Sequence, residues 1–100
     1  MKLTQRELDR VTIFSIAEMA RKRRARGLKL NHPEAMALIC DEILEEVRAG
    51  RSYDDVVAYA RTVLSAQEVM EGVPELIPVI QVEGTFADGT KLITVTDPIR

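Results

Sequence analysis

His32 is the only histidine of this 100-residue chain and Cys40 its only cysteine. These residue types most often carry metal or nucleophilic chemistry. On one helix, eight residues of separation is a rise of about 12 Å, too far for the pair to share a metal ion. Asp41 is farther still from His32. Nothing beside His32 completes a Ser/His/Asp or Cys/His arrangement. There is no Cys-x-x-Cys, no His-x-x-x-His and no glycine-rich phosphate loop. His32 therefore reads as a helix-start residue bonding locally. Cys40 reads as a core thiol on an apolar helix face.

Two charged groups remain. Asp41, Glu42, Glu45 and Glu46 form an acidic group with the charge to hold a hard cation. Such sites usually recruit loop carbonyls, which a helix cannot spare, so the expectation is a solvated helix face. Arg21-Lys22-Arg23-Arg24-Ala25-Arg26, with Lys29 behind it, is the sharpest electrostatic feature. It has the charge to contact phosphate through counterion release. No aromatic residue is interleaved for base stacking. The cluster also spans about one and a half turns, so it wraps its helix instead of forming a stripe. The competing readings are a solvated helix end or an arginine-rich interface to an acidic surface.

These residues must be placed by a small fold. The chain is 46% apolar and 30% charged, which is globular and sized for one domain, residues 1–100. Aromatic content is 4%, so the core must be Leu, Ile, Val, Ala and Met. Residues 1–50 carry +2 and residues 51–100 carry −4, summing to −2. No run approaches the roughly 20 apolar residues of a membrane helix. The N-terminus shows no secretory h-region, and a lone cysteine fits a reducing, cytoplasmic setting.

Thr4-x-x-Glu7 is a capping box, with Leu3 and Leu8 placed as its hydrophobic staple. It opens a helix over about 4–26 that ends at Gly27. Leu8, Val11, Ile13, Phe14, Ile16, Ala17, Met19 and Ala20 make a wide apolar arc, so this helix should be covered on more than one side. A second helix runs over about 33–49 and stops at Gly50; either Asn31 or His32 caps it. Ser52 caps a third over about 53–64, and Ser65-x-x-Glu68 opens a short turn over about 66–70. Pro74 and Pro78 bar a helix through 73–78.

After Pro78 the period becomes two. Strands are expected over about 79–87 and 90–96, joined at Asp88-Gly89. A two-residue turn there pairs Gly84 with Ile93 and Val82 with Val95. Val82, Phe86, Ile93 and Val95 then share one face. The fold class is α+β: a three-helix bundle with one short helical turn, followed by a C-terminal antiparallel hairpin. An isolated hairpin is marginal in water. It must lie on helices or on a partner, and any open edge is a template for strand addition.

The proline-broken run 73–80 is apolar where regular pairing is forbidden. It would expose Leu76, Ile77 and Val79 unless it folds back. The expected contact residues are therefore Leu76, Ile77, Val79 and Ile80, with Arg21, Arg23 and Arg24 from the basic cluster. On this reading Val82→Asp damages folding, and Ile77→Asp damages assembly more than folding.

Three stretches resemble one family. Ala25-Arg26-Gly27-Leu28-Lys29-Leu30-Asn31-His32-Pro33-Glu34-Ala35 is similar to the helix junction of urease gamma subunits. Arg61-Thr62-Val63-Leu64 and Val69-Met70-Glu71-Gly72-Val73-Pro74-Glu75 resemble their central stretch. Ile80-Gln81-Val82-Glu83, Thr85-Phe86 and Asp88-Gly89-Thr90-Lys91-Leu92 resemble their terminal hairpin. The likeness runs essentially end to end. Ala87 stands where that family often has Pro, Gly84 where it usually has Ala, and Thr96 where many members have His.

The resemblance implies a three-helix-plus-hairpin fold and a non-catalytic, structural subunit. The enzyme it implies is a nickel-dependent amidohydrolase that converts urea and water to ammonia and carbamate. Its nickel ions and catalytic groups would belong to the alpha subunit. No catalytic, cofactor-binding or metal residue carries over to this chain. The implied partners are beta and alpha subunits, in a trimer of alpha-beta-gamma units, with no membrane and no nucleic acid. The alternative, on charge alone, is a small nucleic-acid-binding helical module using Arg21–Arg26. A free-standing metalloenzyme is the weakest reading.

Overall fold

A computed structural model describes residues 1–100. The order is α1 (Gln5–Ala25), α2 (His32–Arg48), α3 (Tyr53–Ala60), a single 3-10 turn (Ala66–Glu68), α4 (Val73–Leu76), β1 (Val79–Phe86) and β2 (Gly89–Thr96). The class is α+β: four helices, the last a single turn, and a two-stranded antiparallel sheet.

Each long helix starts where its cap dictates. The Thr4 hydroxyl accepts from the Glu7 N–H, and the Glu7 carboxylate accepts from the Thr4 N–H at 2.8 Å. Asn31, not His32, caps α2: its side chain accepts from Glu34 N–H while Glu34 returns the bond to Asn31 N–H. His32 is thus the first residue of α2, with Pro33 in the first turn where its missing N–H costs nothing. Gly27 follows α1 at φ +77, a conformation that disfavours any residue with a Cβ.

α3 stops at Ala60, four residues short of the expected end. The chain is captured there by other bonds: the Thr62 hydroxyl donates to Tyr59 O, and Arg61 donates to Thr96 O and Oγ1. Val63 and Leu64 then enter the core from a non-helical stretch. The bar on a helix at 73–78 also fails. Pro74 sits in the first turn of α4, where proline removes no intrahelical bond.

The core is built on α2. Leu38, Ile39 and Ile43 meet Val56 of α3, Ile80 of β1 and Ile93 and Val95 of β2. Leu30 and Val69 join it through a parallel bridge that no local pattern announces: Leu30 N–H donates to Glu68 O, and Met70 N–H to Leu30 O. Val82 is partly buried against the same core.

The hairpin register differs from expectation by two residues. Phe86 pairs with Gly89, Gly84 with Lys91, Val82 with Ile93 and Ile80 with Val95. Ala87 and Asp88 form the turn with ordinary negative φ, and Gly89 alone takes φ +124. That is the pattern of a glycine following a type I turn, not of the primed turn that Asp-Gly suggests. Because the slip is two residues, no side chain changes face. Phe86, Ile93 and Val95 remain on the buried side.

Candidate functional site

The acidic group is the first correction. Asp41, Glu42 and Glu45 are not a solvated face but half of the seam between α1 and α2, while Glu46 pairs with Arg51. Asp41 is 1% exposed. It accepts from Arg10 Nη1 at 2.7 Å and from Arg21 Nη2 at 2.5 Å. Arg21 also donates to Glu18 and Glu42, and Arg10 to Glu45. The Tyr59 hydroxyl of α3 donates to Glu42 at 2.6 Å, so three helices meet at this network.

Its electrostatics follow from burial and pairing. Burial alone would raise the Asp41 pKa; the bonds from Arg21 and Arg10 outweigh it and hold the carboxyl below the usual range. The bond to Glu42 favours the neutral phenol and pushes Tyr59 up to about 12. Burial pushes the Cys40 thiol up to about 11, which makes it inert as a nucleophile at neutral pH.

The basic cluster is consumed largely within the chain. Arg21 is in the seam, Arg23 pairs with the buried Glu34, and Arg24 donates to Glu68 at 2.6 Å. Lys22, Arg26 and Lys29 make no ion pair. The acidic surface that the arginines suit is this chain's own second helix and, for Arg24, the 3-10 turn.

The apolar contact residues divide. Leu76 is 64% and Val79 40% exposed, as a contact surface requires. Ile77 and Ile80 are each 1% exposed and belong to the core. The correction is physical: α4 turns the chain so that Ile77 points inward, and strand alternation sends Val79 out and Ile80 in.

A second apolar surface lies on α1. The helix buries only Ala17 and Ala20, so two small residues and the ion pairs hold it. Leu8, Val11 and Met19 stay exposed on the side opposite those alanines, and Phe14, in line with Arg10 and Arg21, is exposed at the margin of the seam. The expectation that α1 is covered on more than one side is unmet within this chain.

No group of three or more His, Cys, Asp or Glu side chains is arranged to hold a metal ion. No helix is long and apolar enough to cross a membrane. The residue types and their spacing do not fit a nickel centre. What the fold presents is a helix with an uncovered apolar side, a hairpin packed on the helices and a protruding apolar turn.

The family model described as "Urease, gamma subunit" matches residues 1–99. The chain belongs to the urease gamma-subunit family. It is 53% identical to "Urease subunit gamma" of Laribacter hongkongensis, with all of both chains covered. It is 57% identical over 100 residues to "Urease subunit gamma/beta" of Pseudomonas syringae pv. syringae and of pv. tomato. The chain spans 43% of the length of those two relatives.

Two features of this gamma-family fold escaped sequence reasoning. One is the Arg10–Asp41–Arg21 seam. Its signal is the spacing of Arg10, Ala17 and Arg21, which puts all three on one helix face. The other is the bonding of Tyr53 and Arg61 to β2, for which the sequence holds no local signal.

Proposed function

We propose that this chain is a non-catalytic assembly subunit of a urease, the complex that hydrolyses urea to ammonia and carbamate. The observation that carries this is the outward side of α1. Leu8, Val11 and Met19 are an apolar surface that a self-sufficient domain of this size has no reason to keep in water. Family membership supplies the context. The partners are urease beta and alpha subunits. Relatives named gamma/beta, in which a gamma-like portion shares a chain with more sequence, support the beta association. The complex is a trimer of alpha-beta-gamma units located in the cytoplasm. Nickel belongs to the alpha subunit, consistent with a chain whose one histidine and one cysteine cannot form its ligand set. Leu76 and Val79 extend the contact surface.

The test is co-expression with matching alpha and beta chains. The chain should co-purify in a complex that hydrolyses urea, and should hydrolyse none when purified alone. Failure of the complex to form overturns the reading. The nucleic-acid alternative loses ground because Arg21, Arg23 and Arg24 are already paired with carboxylates.

A further inference from the structure

The two edges of the hairpin are treated differently. On β2, the Tyr53 hydroxyl donates to Leu92 O and accepts from Thr94 N–H at 3.2 Å, and Arg61 donates to Thr96 O. These outward groups set the parity of the ladder, as does the bond from Asp97 N–H to Pro78 O. The pairs bonded between strands are Ile80 with Val95 and Val82 with Ile93. The peptide groups of Gln81, Glu83 and Thr85 therefore point away from β2. None of them bonds to any group of the protein. Proteins usually cover or blunt such a row. Here α3 covers one edge and nothing covers the other.

The uncovered edge borders a groove. Residues 82–85 form one wall and the N-terminal half of α1 the other, with Leu44 and Val47 of α2 on its floor. The groove measures about 670 Å³. Only the long Arg6–Glu83 pair, at 3.9 Å between two well-exposed side chains, spans it. A surface ion pair of that kind is worth little and yields readily.

We propose that the β1 edge and this groove receive an extended strand from another subunit of the assembly, adding a third strand to the sheet. This rests on the assembly reading above. The unbonded N–H and C=O groups of Gln81, Glu83 and Thr85 specify an extended backbone as the occupant. The floor specifies apolar side chains at alternate positions of that strand. A second copy of this chain does not fit. Its own β1 already commits Ile80 to its core. Its other apolar run commits Ile77 likewise.

The test uses proline, which removes the N–H and is tolerated on an edge strand where that N–H faces solvent. Glu83→Pro and Gln81→Pro should retain the circular dichroism of the free chain. Each should lower recovery of the alpha-beta-gamma complex at least tenfold. Glu83→Gln, which keeps the N–H and loses only the Arg6 pair, should assemble like the parent. Assembly of both proline variants at the parental level overturns the proposal. If the proline variants do not fold, amide exchange in the parental complex decides. Gln81, Glu83 and Thr85 amides exchanging as slowly as those of Val82 and Ile93 support it; fast exchange overturns it. Failure of the parent and Glu83→Gln alike to form a complex overturns the assembly reading itself, and the proposal with it.

Discussion

Arg10 of α1 donates to Asp41 of α2 at 2.7 Å, and the Asp41 side chain is 2% exposed. Arg21, three turns farther along α1, bonds the other oxygen of the same carboxylate. One buried charge thus joins two ends of a helix that buries only two alanines of its own.

Asp41→Asn should therefore loosen α1. Removing one partner of a buried pair costs about 3–5 kcal/mol, and the low end applies because both arginines keep partial access to water. About 3 kcal/mol in a domain of this size lowers Tm by about 15 °C. Urea and thermal unfolding measure it. A change below about 1 kcal/mol would show that the seam contributes little.

Stability should form a plateau in pH with two separate limbs. Asp41 is held below its ordinary pKa by Arg21 and Arg10 against the effect of burial. In Glu34 burial is likewise overcome, by the Asn31 backbone and Arg23. Lowered carboxyl values favour the folded state above the unfolded pKa, about 4, and that contribution is lost as pH falls through the folded values. Cys40 and Tyr59 act oppositely. Their raised values, about 11 and about 12, favour folding fully below the unfolded pKa values of about 8.5 and about 10. That contribution is lost as pH rises toward the folded values. The urea midpoint should fall below about pH 4 and above about pH 9. Tyr59→Phe should flatten the upper part of the alkaline limb, and an unchanged limb would remove Tyr59 as its source.

Ile77 and Leu76 are neighbours with opposite exposure, so their variants should separate folding from assembly. Ile77→Ala should cost about 2–5 kcal/mol in the isolated chain, as buried aliphatic truncations do. Leu76→Asp should stay within about 0.5 kcal/mol of the parent in the isolated chain, and reduce recovery of the complex. Equal unfolding of the two would contradict the geometry of α4.

Gly84 should tolerate Ala but not Val. A Cβ there would lie 2.9 Å from Ile93 Cδ1, the movable end of a side chain, and 3.3 Å from both Val47 methyls. Gly84→Ala restricts the unfolded chain by about 0.4–1 kcal/mol, which offsets the small shift required of Ile93. Its net effect should stay within about 1 kcal/mol of zero. Gly84→Val overpacks the same contact and should cost about 1–3 kcal/mol. Denaturant midpoints of both variants decide this.

Much of the fold was legible in local sequence. Thr4, Asn31 and Ser52 stand where helices begin because a side-chain oxygen satisfies nearby helix donors, a bond that needs no distant partner. Alternation assigned Phe86, Ile93 and Val95 to one face, and that survived a two-residue slip because the period of a strand is two. The slip itself was not legible, since Asp-Gly serves more than one turn and packing against α2 chooses among them.

The candidate site divides in the same way. The residue inventory alone left one histidine and one cysteine, spaced too far apart to share a metal ion. Charge alone left two free-standing clusters, one basic and one acidic. Tertiary structure joined them, because α1 folds back on α2 and brings Arg10 and Arg21 to a carboxylate 31 and 20 residues away in sequence. It likewise decided which apolar residues face water. Ile77 and Leu76 have similar hydrophobicity and adjacent positions. Only the turn of α4 over the core sends one inward and leaves the other exposed.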